Sequence, residues 1–265
     1  MKKLGFIGAG NMGGALILAA AKSDSEKEIL ISDKILEKAE ALALETGAKL
    51  CSSIDIAREA DYIILGVKPH MLSDLMEEIA PALSERKDRF VLVSMLAAYT
   101  CERVKKAAGG DYPVIRIMPN TPVSVGEGMI LYSADKSVTD EELSDFLLAF
   151  EKAGRLSSLD EKLMDAGASV AGCGPAFADM FIEALADGGV ACGLPRDKAT
   201  EFAAQMLIGS AKLVLESKKH PEQLKDEVCS PGGTTIQGVR ALEKGGFRSA
   251  VMEAVIAAYD KNFEL

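Results

Sequence analysis

Apolar residues run in short unbroken blocks through the first part of the chain and at helical spacing through the rest. The stretch before Gly8 and residues 28–32, 61–67, 89–94 and 112–118 read as strands. Patterns around residues 35–46, 54–59, 69–83 and 101–108 read as the helices between them. Strands that are apolar throughout, rather than alternating, are buried on both faces, so this order predicts a doubly wound parallel sheet with helices on each side. A further strand pair is expected at residues 128–133 and 154–158.

Beyond about Leu159 the strand signals stop. Phe177, Met180, Phe181, Ala184 and Leu185 recur at helical spacing, as do Ala199, Phe202, Ala203, Met206 and Leu213. We therefore expect an α/β domain over residues 1–158 and an all-α domain over 159–265. Both long helical patterns are rich in Ala and Gly, which allows close backbone approach but leaves little bulk for a core. A second subunit is expected to complete the helical domain.

The opening segment admits two readings. Lys2 and Lys3, the apolar run from Leu4 and the Ala19-Ala20-Ala21 finish look like a secretory signal peptide. The same letters contain Gly8-Ala9-Gly10-Asn11-Met12-Gly13, a match to the dinucleotide-binding pattern G-x-G-x-x-G. Gly5, Gly8, Gly10, Gly13 and Gly14 crowd the segment, and each glycine in a helix costs about 1 kcal/mol relative to alanine. The nucleotide loop gives those glycines tasks: a tight turn, close approach to a pyrophosphate, and helix–strand packing.

A helix follows the loop, its first amides facing the pyrophosphate, and a second strand ends at Asp33. Gly8, Gly10, Asn11, Met12, Gly13, Asp33 and Lys34 are accordingly the candidate cofactor residues. Ligands of such sheets bind beyond the carboxyl ends of the strands. Val67-Lys68-Pro69-His70 and Met118-Pro119-Asn120-Thr121-Pro122 stand there, which adds Val67, Lys68 and Asn120.

Length and charge narrow the class. A chain of 265 residues suits about two domains, and 40 acidic against 30 basic residues give a net charge of −10, which repels nucleic acid. The cysteines Cys51, Cys101, Cys173, Cys192 and Cys229 form no C-x-x-C pair, and His70 and His220 are too few for a histidine-rich metal site. We expect reduced thiols in a cytoplasmic protein, no metal, and no membrane span, since apart from the N-terminal run no apolar stretch approaches ~18 residues. Both histidines are expected as capping or surface residues.

A second candidate loop is Cys229-Ser230-Pro231-Gly232-Gly233-Thr234-Thr235-Ile236, ahead of a helical run. Glycines and hydroxyls before a helix present converging donors to an anion such as a carboxylate. A plain Ser-Pro turn with a threonine N-cap has the same spacing.

These motifs, with Gly174-Pro175-Ala176, Ala186-Asp187-Gly188-Gly189-Val190 and the block from His220 to Thr235, resemble the pyrroline-5-carboxylate reductase family over nearly the whole chain. The resemblance implies a Rossmann domain followed by a helical dimerisation domain, with homodimers assembled further into rings such as decamers. It implies NADPH or NADH as cofactor and a cyclic imino acid as substrate, reduced to L-proline by hydride transfer to C5. Ser230, Gly232, Gly233, Thr234 and Thr235 would receive the substrate carboxylate, with the Thr235 hydroxyl near the ring nitrogen.

The family's Ser-Gly-Ser-Gly-Pro stretch reads Ala171-Gly172-Cys173-Gly174-Pro175 here and loses two hydroxyls. Asp33 suits an unphosphorylated ribose, whereas Lys34 beside it would offset repulsion of a 2′-phosphate, so both cofactors stay open. A protonated imine is already electrophilic, so positioning by Thr235 and Lys68 suffices without a strong acid; Lys68 could equally be a surface lysine. Asn120 and Thr121 either hold the nicotinamide or serve as turn residues. A hydroxy-acid dehydrogenase would need a lysine near residues 174–183, where none stands, and a non-catalytic cofactor sensor would have no need of the second loop.

Overall fold

The computed structural model describes residues 2–264. In chain order its elements are β1 (Lys2–Ile7), α1 (Asn11–Lys22), β2 (Lys27–Ser32), α2 (Leu36–Thr46), β3 (Lys49–Leu50), α3 (Ser53–Glu59), β4 (Tyr62–Leu65) and α4 (Leu72–Glu85). Then come β5 (Val91–Ser94), α5 (Cys101–Ala108), β6 (Val114–Met118), β7 (Gly128–Ala134), α6 (Asp140–Ala149), β8 (Gly154–Ser158) and α7 (Met164–Ala171). The remainder is helical: α8 (Gly174–Ala191), α9 (Arg196–Ser217), α10 (Pro221–Val228), α11 (Thr234–Lys244) and α12 (Phe247–Lys261). The opening apolar run is thus a strand, a glycine loop and a helix, and not one continuous apolar helix.

Among the described residues the strands form one sheet in the order β3-β2-β1-β4-β5-β6-β7-β8. Every pairing is parallel except β6 with β7. The order reverses between β1 and β4, which makes their carboxyl ends the switch point where such sheets bind ligands. Alternate residues of each strand feed two cores. Leu4, Phe6, Ile31, Ile64, Val93 and Ile117 pack on one face and Ile7, Leu30, Ile63, Leu65, Leu92 and Val114 on the other.

Three details depart from the pattern reading, the first being helix α6 between the expected strands 128–133 and 154–158, where no helix was anticipated. The short edge strand β3 was not anticipated, because its exposed Lys49-Leu50 pair has neither length nor burial to mark it. The helix expected from Pro69 starts as a tight 3-10 turn at Pro69–Met71, since Lys68 is extended (φ −73°, ψ 151°) and α4 begins only at Leu72.

The chain divides into two compact units, one running to Cys173 and taking in the segment from Tyr259, the other Gly174–Ala258. The packing boundary therefore lies beyond the compositional break near Ser158. Helix α7 belongs with the sheet: Met164 is fully buried, and a Cβ on Gly167 would stand 2.6 Å from Leu131 Cδ1. Asp165 also pairs at 2.6 Å with Arg116, a β6 side chain that is 1% exposed.

In the helical unit α8 and α9 pack closely, with Gly189 against Ala199 and Leu194. The apolar side chains buried there are Ala186, Ala199 and Ala203. Met180, Phe202, Met206, Ile208, Leu213 and Leu215 stay exposed, Met180 at 69%. Exposed apolar surface of this kind marks an interaction site.

Candidate active site

The glycine loop is built by close backbone packing. Gly8 has φ +111°, a conformation open to glycine, and a Cβ there would lie 2.3 Å from the Gly66 carbonyl oxygen. A Cβ on Gly13 would lie 2.2 Å from the Gly8 carbonyl oxygen, so α1 rests directly on the loop. Gly10 faces open space, with nothing within 4 Å of its would-be Cβ, and as N-cap of α1 it makes no side-chain cap. The first amides and positive dipole end of α1 are therefore presented to whatever approaches Gly10.

A cleft of about 510 Å³ opens in front of that helix end. It brings together Gly10, Asn11, Met12 and Gly13 with Val67 and Lys68 from the end of β4. Seven further residues line it that the motifs did not mark as site residues: Lys38, Gly66, Pro69, Met95, Ala97, Met118 and Pro119. The signal for most was present, because they follow the carboxyl ends of β4, β5 and β6. Lys38, on the first turns of α2, had no such signal. The cleft residues carry little charge, and Lys68 is exposed with no ion-pair partner among the described residues.

Gly8, Asp33, Lys34 and Asn120 do not line the cleft. Gly8 shapes the loop from behind. Asp33 Oδ2 accepts the Ala9 N–H at 2.6 Å and its Oδ1 accepts the Ile35 N–H at 2.8 Å. Lys34 is exposed. Asn120 is 8% exposed, donating Nδ2–H to the Ala171 carbonyl at 2.9 Å while its Oδ1 accepts the Met129 N–H at 2.8 Å. Its amide thus joins the ends of β6, β7 and α7. Because that bond uses a backbone carbonyl, alanine in place of serine at position 171 leaves it intact.

The second loop lies in the helical unit. The Gly233 N–H donates to the Ser230 carbonyl at 3.0 Å, and Gly232 has φ +69°. With Pro231 second and Gly232 third, this is the chemistry of a type II turn. The cap of α11 is Gly233, not a threonine, and it makes no side-chain cap. Thr234 and Thr235 are exposed in the opening turn, hydroxyls free beside the uncapped amides. A hydroxyl-bearing, positively polarised helix end of this kind suits a carboxylate.

His220 is a cap, its Nδ1 accepting the Glu222 N–H at 3.2 Å, and His70 is exposed. Burial, with Glu161 nearby, pushes the Cys101 thiol up to about 12, so that sulfur is no nucleophile at neutral pH. A second depression at the opposite, amino-terminal ends of the strands is lined by Lys2, Asp61, Arg89 and Glu142. Arg89 and Lys2 there are already paired with Glu142 and Asp145. No helix among the described residues is long and apolar enough to cross a membrane.

Comparison with known proteins bears on both loops. Residues 161–265 match a family model described as pyrroline-5-carboxylate reductase dimerisation, and residues 3–98 match one described as NADP oxidoreductase coenzyme F420-dependent. The chain is 42% identical over 267 residues to pyrroline-5-carboxylate reductase of Escherichia coli, covering 100% of this chain and 98% of that protein. It is 40% identical to the soybean (Glycine max) enzyme of the same name, covering 99% and 95%. The solved structure of Plasmodium falciparum pyrroline carboxylate reductase with NADP bound superposes with a TM-score of 0.86 at 33% identity, covering 99% of this chain and 98% of that one.

Proposed function

The chain belongs to the pyrroline-5-carboxylate reductase family, and we propose that it reduces (S)-1-pyrroline-5-carboxylate to L-proline with NAD(P)H, the last step of proline biosynthesis. The observation that carries this reading is an uncapped, open helix N-terminus in each unit, α1 behind Gly10 and α11 behind Gly233. The first suits a pyrophosphate and the second a carboxylate.

The cleft fits a dinucleotide: the space a Cβ would fill at Gly10 is empty, and the α1 amides point into it. Gly8, Gly10, Asn11, Met12 and Gly13 would hold the pyrophosphate, Asp33 or Lys34 the adenosine end, and Val67 and Lys68 the nicotinamide end. Asn120 would act by fixing Met118 and Pro119. When bound, the reduced nicotinamide supplies the hydride.

The Gly232, Gly233 and Thr234 backbone and the Ser230 hydroxyl would anchor the substrate carboxylate, while the Thr235 hydroxyl orients the ring nitrogen. A protonated imine carbon is electrophilic enough that no strong acid is required. Positioning of two reactants can supply about 7–11 kcal/mol of barrier reduction, and that is the task of these side chains. The paucity of charge in the cleft agrees with such a role.

We propose residues 1–158 as the cofactor-binding stretch and 159–265 as the dimerisation and substrate stretch, whose first helix α7 packs on the sheet, in a cytoplasmic homodimer assembled further into a ring of dimers such as a decamer. The exposed Met180, Phe202 and Met206 support homo-oligomerisation. Mixing purified protein with pyrroline-5-carboxylate and following nicotinamide absorbance tests the reaction. Oxidation dependent on the imine is expected, and its absence with intact cofactor binding would discard the substrate.

A further inference from the structure

Asp33 is held by the loop it faces. Its two carboxylate oxygens accept the N–H groups of Ala9, the middle residue of Gly8-Ala9-Gly10, and of Ile35, just before α2. Such charge-assisted bonds are roughly twice as strong as neutral ones, so the half-buried carboxylate is clamped just past the end of β2. It cannot turn away without releasing Ala9 and loosening the glycine loop. In this sheet that position is where the adenine ribose lies when the pyrophosphate sits on α1.

Each oxygen keeps a lone pair beyond the one engaged by the backbone. A ribose diol brings two O–H donors to those lone pairs. A 2′-phosphate brings only acceptors and close to two negative charges. The cations of this corner do not reverse the sign. Lys34 and Lys38 are exposed, neither forms an ion pair among the described residues, and Glu37 stands between them. An ammonium on a flexible, solvated stem is screened and mobile, whereas the Asp33 charge is fixed.

We propose that this chain selects NADH over NADPH and that Asp33 is the residue that decides it. The proposal rests on the dinucleotide reading of the cleft and specifies which dinucleotide.

Calorimetric titration of the full chain with NADH and with NADPH, no imine present, tests it. NADH is expected to bind at least about tenfold more tightly. Asp33→Ser should weaken both cofactors by freeing the loop, yet lower the NADH-to-NADPH affinity ratio by about tenfold or more. Lys38→Gln, a surface change that leaves the fold intact if Asp33→Ser does not, should weaken both cofactors alike.

Equal or tighter NADPH binding by the unaltered protein overturns the proposal. So does an unchanged ratio in Asp33→Ser, or a loss confined to NADPH in Lys38→Gln. Binding of neither nucleotide overturns this proposal together with the cofactor reading. NADH binding without imine reduction strikes the substrate alone.

Discussion

Replacing Gly13 by alanine sets two computable effects against each other. Alanine within a helix is favoured over glycine by about 0.5–1 kcal/mol, and Gly13 lies inside α1. Its new Cβ would stand 2.2 Å from the Gly8 carbonyl oxygen, a contact between backbone-anchored groups in which neither has a flexible end to give way. Ordinary contact requires about 1 Å more, and overpacking of this kind costs about 1–3 kcal/mol. The clash should win. The start of α1 then moves off the loop, and the amides aimed at the pyrophosphate move with it. Thermal unfolding and calorimetric cofactor titration read the two consequences: a lower Tm and an affinity loss of at least about tenfold.

Gly10→Ala is the matched control. It meets nothing within 4 Å and has φ −67°, so its structural cost is only that of alanine for glycine at a cap, under about 1 kcal/mol. Its methyl group nevertheless occupies the space left for the pyrophosphate. Near-normal unfolding with weakened cofactor binding is expected. A Gly13→Ala protein that is more stable than the parent and binds cofactor equally well would refute the packing argument, because helix propensity would then be acting unopposed.

Other predictions follow from exposed or paired groups. Thr235→Ala should leave Tm unchanged, since the side chain is exposed, while kcat/KM for the imine falls by about tenfold or more; unaltered kinetics would remove Thr235 from the reaction. Lys68→Met should raise at least one Michaelis constant several-fold without changing Tm, and unchanged constants for both reactants would make Lys68 a surface residue. Burial alone would raise the Glu142 carboxyl, but hydrogen bonds from Arg89 and Thr139 hold it below its ordinary value. That group stabilises the fold fully above the ordinary carboxylate range near pH 4 and loses the contribution as pH falls through its lowered value. The Tm gap between the parent and Glu142→Gln should therefore narrow on going from pH 7 to pH 3, and a gap independent of pH would contradict the assignment.

How far the sequence reaches depends on how local the cause is. Gly8-Ala9-Gly10-Asn11-Met12-Gly13 was readable because a tight turn and a helix start need glycine at fixed spacing whatever surrounds them. The parallel sheet was readable because β4, the Leu4–Ile7 part of β1 and the Val91–Val93 part of β5 are unbroken apolar runs, a consequence of burial on both faces. The expectation of a partner for the helical unit came from alanines and glycines too small to fill a core, and the unit matches a family model described as a dimerisation domain. Those are properties of neighbours along the chain.

Other assignments depend on neighbours in space. Asn120 could be placed past β6 from its position, but the partner that engages its amide, Ala171, lies 51 residues away. The packing boundary moved beyond Ser158 because Arg116 meets Asp165 across 49 positions and draws α7 onto the sheet. Lys38 reached the cleft only through the direction of α2, and Asp33 acquired its anchoring partners only when β2 was laid beside the glycine loop. The sequence alone determined most of the buried strands, the nucleotide loop and the family, since each rests on residue type at short separation. Only the tertiary structure decided which polar groups are free for a ligand, because a hydrogen-bond donor or acceptor is available only where no distant backbone has already engaged it.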